Sequence, residues 1–541
     1  MACMSQDQII SILIPYIQKI MPNEEDEVLL AISEEVANFK NFLDPKNVNQ
    51  IFPLFQYLFG CEETVVRESA IEKMRGIIPE LDEEIVQKYL VPLILSISNL
   101  DAFQWKVSAL YMIRMCYVKS GKDKEKLRAL YFKLCEDETP IIKRTAAKEF
   151  GPLCLTIEKN YVYNDMIHYY KKFMAESDVI RTTILPSLVQ LTKLSQNADL
   201  QRENIKFIVA ASEDKSWRVR NQLSQLFPEI VNYLGTQINE IIPTLATLIT
   251  DSETEVKISA LKSLNQIITK IPPEKIQASI IPSLKNINES SKDVKSNVGE
   301  SLGPIAQIIG YNAFNSSLGV VMDSLMKDDN ADVRLGIAKS MYQIFLSSDG
   351  NLLTSTNALL GTMQKDTQYR IRECVYETLA KLGANYGMEI FKSTIEPLYF
   401  NYISDNVNSV REAGINSLRI LMEKFGVTFI LNTLIPKLSG FLQQGKISYL
   451  NRLCVIRSLE VCGEFLEHKQ LNEALLPILL KCLKDKIANV RFVTIKTLQK
   501  IFKNFDANGK DKIVSAIKGM LNDDDTDVKF YASKFMEGYS K

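Results

Sequence analysis

The residues able to do chemistry in this chain are few and badly placed for it. His168 and His468 are the only histidines, three hundred positions apart. A Ser-His-Asp triad or a multi-histidine metal centre is therefore nearly excluded within one chain. No G-x-x-x-x-G-K-[ST] cradle and no H-E-x-x-H pair occurs. Nine cysteines (Cys3, Cys61, Cys116, Cys135, Cys154, Cys374, Cys454, Cys462 and Cys482) are scattered without a C-x-x-C. They are too sparse for a disulfide framework and read as small core residues in a reducing compartment. The acidic run around Asp525 lacks the glycine and glutamate of a calcium loop. Asn288 and Asn315 head glycosylation-type triplets, incidental without a secretory leader. The expectation is no catalytic residue, no metal and no cofactor.

What does recur is an ionic motif. An acidic residue, a few polar residues, then Val or Ile and a cation form EDKSWRVR ending at Arg220, DDNADVR at Arg334 and KDKIANVR at Arg491. In one register the chain gives Leu29, Arg67, Lys106, Lys143, Arg181, Arg220, Lys257, Lys295, Arg334, Arg372, Arg411, Arg452, Arg491 and Lys529, in steps of 37 to 41. Thirteen of these fourteen positions are basic, where chance would give about two. Asp stands six residues earlier in eight cases: Asp137, Asp214, Asp251, Asp328, Asp366, Asp405, Asp485 and Asp523. Repeated at this period, the cation and the carboxylate stack into a ladder within or between units.

The elements that must position them are helices. Before each anchor lies an apolar segment, often with a proline (Pro15, Pro53, Pro92, Pro243, Pro282, Pro397, Pro436, Pro477) that kinks the helix or sets its start. After the turn, apolar residues at i, i+3, i+4 and i+7, as in VRLGIAKSMYQIF from Val333, mark a second helix. The turn Asp suits that helix's N-terminus. A period near 38 belongs to helical solenoids, so the fold class is an all-α HEAT-repeat solenoid of about fourteen antiparallel helix pairs, one domain over residues 1–541. Net charge is −1 from 64 basic and 65 acidic residues, which argues against a nucleic-acid protein. No apolar run is expected to reach the roughly 18 residues of a membrane span, and no leader is visible. A cytoplasmic protein, also nuclear in part, is expected.

Several turn strings are more specific. EDEVLLAI (Glu25 to Ile32), CEETVVRESAIEKMRGI (Cys61 to Ile77), CEDETPIIKRTAAKEFG (Cys135 to Gly151), EDKSWRVR (Glu213 to Arg220), VREAG (Val410 to Gly414), EVCG (Glu460 to Gly463) and IANVRFVTIKTLQKI (Ile487 to Ile501) resemble, in order, the scaffold (A) subunits of protein phosphatase 2A. That family has fifteen repeats and the first anchor here matches its second, so the first repeat is expected to be shortened or missing. The resemblance implies a horseshoe-shaped, non-catalytic scaffold. Its turns would hold the phosphatase catalytic subunit, over about residues 346–541, and a variable regulatory B-type subunit, over about 1–345.

Residue by residue, the resemblance places the catalytic-subunit contacts at Gln368, Tyr369, Arg370, Asn406, Asn408, Tyr449, Leu450, Arg452, Ile487, Asn489 and Phe492. Tyr369 stands where the family usually has Trp, and Asn408 where it has an aromatic. Regulatory-subunit contacts fall at Glu62, Glu63, Phe103, Pro140, Lys143, Arg144, Trp217 and Arg218. The other tryptophan, Trp105, takes a core position where the repeat has Val or Ile. The competing reading is a HEAT-class nuclear transport receptor, a class that tends to be longer and more acidic, or another protein-binding adaptor.

Overall fold

The computed structural model describes residues 4–195, 198–285, 290–348, 353–443 and 447–539. Cys3, Asn288 and Glu289 lie outside them. The described residues are helical throughout, with no strand among them. They fall into two compact units, Met1–Ile267 and Ile268–Lys541. Each unit is a stack of seven helix pairs, and the pairs are numbered here 1 to 14 by the anchors Leu29 to Lys529. Pair 1 is formed by the helical run from Gln6 to Ile20 and Asp26–Glu35.

Successive second helices pack on one another, for example Trp217–Leu234 on Thr254–Ile267 and Ala488–Ile501 on Thr526–Tyr539. Each buries one apolar stripe: Val219, Leu223, Phe227, Ile230 and Leu234 in the first of these. No pair has enough apolar surface of its own, so burial against neighbours supplies the stability. Seven of the eight described cysteines are buried, four of them (Cys116, Cys154, Cys454 and Cys462) on second helices, and burial lifts the thiols of Cys61 and Cys482 to about 11 and that of Cys116 to about 12. They are packing residues rather than nucleophiles.

The prolines act through a specific backbone adjustment. Ahead of Pro15, Pro92, Pro282, Pro397, Pro436 and Pro477 the first helix widens for one turn. The N–H before each proline then reaches the carbonyl five residues back, as Val91 to Val86 and Leu476 to Leu471. The ring cannot donate and crowds the carbonyl four back, and one π-turn relieves both problems. Pro243 is tolerated inside Ile238–Ile249, and Pro53 lies in the first turn of Phe52–Phe59.

Between pairs 11 and 12 two helices follow one another without a loop over Asn408–Gln443, and length and mean hydropathy alone would let that run cross a membrane, contrary to the expectation from sequence. Gly426, at φ +71°, divides it into the second helix of one pair and the first of the next. Phe429, Ile430, Leu434, Ile435 and Leu438 are buried in the stack.

Trp105 corrects the sequence reading. It is half-buried rather than core, and its ring lies over Gly60 of the preceding pair, within 2.0 Å of where a Cβ would stand. A wedge between repeats needs Gly beneath it.

Candidate functional site

The turns joining first to second helices carry the ionic motif, and its geometry is the same from pair to pair. The register Asp is not the N-cap itself. Its Oδ1 accepts the N–H two residues on, the N-cap residue in most pairs: Asp366 from Gln368 (2.8 Å), Asp214 from Ser216 (2.8 Å), Asp405 from Val407 (2.9 Å) and Asp485 from Ile487 (2.9 Å). This Asx turn sets the chain's entry into the helix. The expected reach to the helix's own orphan N–H groups is made by other residues, such as Asn330 and Ser448.

The anchor cation bridges two pairs. Arg334 donates from Nη1 to its own turn's Asp328 carbonyl at 2.8 Å, and from Nε and Nη2 to both Asp366 oxygens at 2.7 and 3.0 Å. Arg220 on Asp251, Arg372 on Asp405 and Arg491 on Asp523 repeat the fork. All eight register aspartates pair with the cation of the preceding repeat. Among the described residues the cation–carboxylate pairs of the ladder therefore run between repeats. Burial pushes the Asp251, Asp366 and Asp405 carboxyls up, but the arginine and the backbone N–H outweigh it and hold them below the ordinary value. Where the next repeat's register position is not Asp, as after Arg67, the guanidinium turns to its own turn, on the Cys61 and Glu62 carbonyls at 2.6 Å.

On this frame the expected contact residues of pairs 10 to 13 fall at the starts of four successive second helices. Gln368 is an N-cap, Tyr369 is half-buried, and exposed Arg370 lies 5.9 Å from the Tyr369 ring centroid. Asn406 and Asn408 are exposed, and Asn408 also accepts from Arg411 at 3.0 Å. Tyr449, Leu450 and Ile487 are exposed to 41, 38 and 40%, high for residues of their size, with Asn489 beside them. Two residues are more occupied than their types suggest. Arg452 is committed to the ladder, paired with Asp485 at 2.9 Å. Phe492 stacks on Tyr531 of the next pair at 5.4 Å, with Lys496 over both rings.

In the N-terminal unit, Glu62, Glu63, Phe103, Pro140 and Arg144 are exposed at three successive turns, and Glu63 caps Thr64–Ile77. Lys143 instead pairs with Glu176 at 2.5 Å as a rung of the ladder. Two turns further on, Trp217 is half-buried under Arg218, whose guanidinium lies 5.1 Å from the ring centroid and 3.7 Å from Asp178. Reasoning from sequence missed Val65, Ile141 and Val179, exposed to 54, 42 and 52%. Each lies two residues before its anchor, like Leu450, Arg218, Arg370 and Asn489. In these repeats that register position points away from the stack, and reading it down the repeat would have found them. The result in each unit is a row of outward apolar and aromatic side chains among guanidinium and amide groups, the composition of a protein-binding surface.

Among curated proteins, a scaffold subunit of protein phosphatase 2A from Dictyostelium discoideum is 35% identical over 157 residues, 29% of this chain and 27% of that protein. The human 65 kDa regulatory subunit (beta isoform) of serine/threonine-protein phosphatase 2A is 29% identical over 328 residues, 59% of this chain and 55% of that one. The corresponding regulatory subunit of protein phosphatase PP2A from Saccharomyces cerevisiae is 26% identical over 251 residues, 42% of this chain and 39% of its own. The chain is similar to the scaffold subunits of protein phosphatase 2A. The matched segments span between about a quarter and just over half of these relatives' lengths. They are named as scaffold or regulatory subunits, not as catalytic ones. Residues 307–505 also match the family described as the PIK3R4-like middle domain. Among solved structures, Kap95p with RanGDP has a TM-score of 0.52 at 12% identity, covering 97% of this chain and 78% of that one. Kap121p bound to Nup53p has a TM-score of 0.51 at 12% identity, covering 97% and 66%. At that identity the likeness concerns the helical-repeat fold alone.

Proposed function

We propose that the chain is a non-catalytic scaffold that holds a serine/threonine phosphatase catalytic subunit on the turns within residues 346–541 and a variable regulatory subunit on those within 1–345. The similarity to phosphatase 2A scaffold subunits from slime mould, yeast and human carries the reading. The exposed turn rows supply a surface for it. The mechanism is proximity: two partners held on one body meet at a high effective concentration. Reduced, buried cysteines suit a cytoplasmic and nuclear setting.

Tyr369, Arg370, Tyr449 and Leu450 are the residues to test, because they are exposed in part or whole and outside the ladder. Native affinity purification should recover a serine/threonine phosphatase catalytic subunit. The Tyr369→Ala/Arg370→Ala and Tyr449→Ala/Leu450→Ala chains should lose most of it with unchanged helicity. Recovery of no such subunit with the intact chain refutes the assignment.

A further inference from the structure

Two adjoining cavities open beside the first helices of pairs 12 to 14, one of about 620 Å³ and one of about 820 Å³. They lie on either side of Leu476–Cys482 and share Pro477, Lys481 and Lys484 as their dividing wall. The floor is apolar and only half covered: Leu442, Ile447 and Ile478 in one, Leu480 and Met520 in the other. The rim is cationic, with Lys481, Lys484, Lys486 and Lys512 exposed and none of them in an ion pair among the described residues. Of the two lining carboxylates, Asp485 is already held by Arg452, which leaves Asp511 against four lysines. In a chain whose net charge is −1, this is a local excess.

We propose that this double groove binds an extended acidic segment of a partner protein whose carboxylates alternate with aliphatic side chains. In an extended chain successive side chains point to opposite sides, so one set can enter the half-covered floor while the other meets the lysines. Packed helices lie about 8–10 Å apart, so crossing the dividing helix from one first helix to the next but one takes about 20 Å, or about six extended residues. The lysines steer such a segment, and the apolar floor retains it. The inference stands on groove geometry and charge, although the first cavity shares Arg452 with the turn row.

The test uses the full chain and a fluorescein-labelled peptide of about eight residues, alternating Glu and Leu, by fluorescence anisotropy. Saturable binding is expected, weakening as salt rises, and at least about tenfold weaker with Lys481→Glu/Lys484→Glu. The Lys481→Gln/Lys484→Gln chain should show an intermediate loss, and its exposed substitutions leave helicity intact. The Tyr369→Ala/Arg370→Ala chain should bind the peptide as the parent does, which separates this site from phosphatase capture. Equal binding of a Gln–Leu peptide, no loss in the glutamate variant, or displacement by anionic vesicles or an RNA oligomer at lower concentration than by unlabelled peptide would overturn the proposal.

Discussion

Asp366→Ala tests the ladder where it meets the candidate phosphatase contacts. The carboxylate accepts three bonds, two from Arg334 and one from the Gln368 N–H. Its side chain is 13% exposed and that of Arg334 18%, so the pair is neither fully desolvated nor a free surface bridge. A forked pair in that setting contributes about 1–2 kcal/mol, between the surface value and that of a buried charge-assisted bond. The turn bond adds about 1 kcal/mol. The loss of about 2–3 kcal/mol should be local, because a repeat touches only its neighbours. Hydrogen exchange read by mass spectrometry should show amide protection over residues 364–376 falling by about 30-fold or more, with 488–501 unchanged. Asp366→Asn keeps an oxygen for the Gln368 N–H and should lose about half as much. Unchanged protection over 364–376, or a uniform loss along the chain, would refute a ladder that acts rung by rung.

Three further outcomes follow, one from the ladder and two from the closeness of helix packing. Asp137, Asp251, Asp328, Asp366, Asp405 and Asp523 all titrate below the ordinary 3.8 when folded. A depressed folded value stabilises fully above the unfolded one and is lost as pH falls through the folded one, so ladder-dependent melting temperature should be flat above about pH 5 and drop below about pH 4. The drop should be shallower in Asp366→Asn. Gly336→Ala would put a Cβ 2.3 Å from the Ser296 carbonyl oxygen on the facing helix Lys292–Ile309, and a lowered denaturant midpoint equivalent to about 1–3 kcal/mol is expected. Gly440→Ala, with nothing within 4 Å, should be neutral or stabilising by up to about 1 kcal/mol.

The repeat was legible because the anchor is chemical as well as periodic: a cation at nearly every step cannot be produced by an apolar stripe alone. All fourteen anchors stand at or just after the start of a second helix. The ladder's direction was not legible, since Arg334 has Asp328 six residues before it and Asp366 thirty-two after, and sequence offers no reason to prefer the distant one. Folding decides it: Asp328 is turned towards Lys295 behind and the Asn330 N–H, leaving only its backbone carbonyl to Arg334. Proline marked the kink but not its form. The closeness of Gly299, Gly303 and Gly336 was invisible, because a glycine in a helix says nothing about which backbone lies against it. Among candidate site residues, Arg452 and Lys143 matched by type, yet both are spent on neighbouring repeats.

The polarity of the rungs makes each pair an interchangeable cassette. A typical unit carries one carboxylate that looks back along the chain and one cation that looks forward. Inserting or excising a whole unit between anchors in an unbroken run, such as Arg334 to Arg372, leaves every remaining cation of that run facing an aspartate. A cut elsewhere strands one of each. A chain built this way can change length by duplication and deletion without redesigning its electrostatics, so its number of repeats is free to vary while the spacing between them is not.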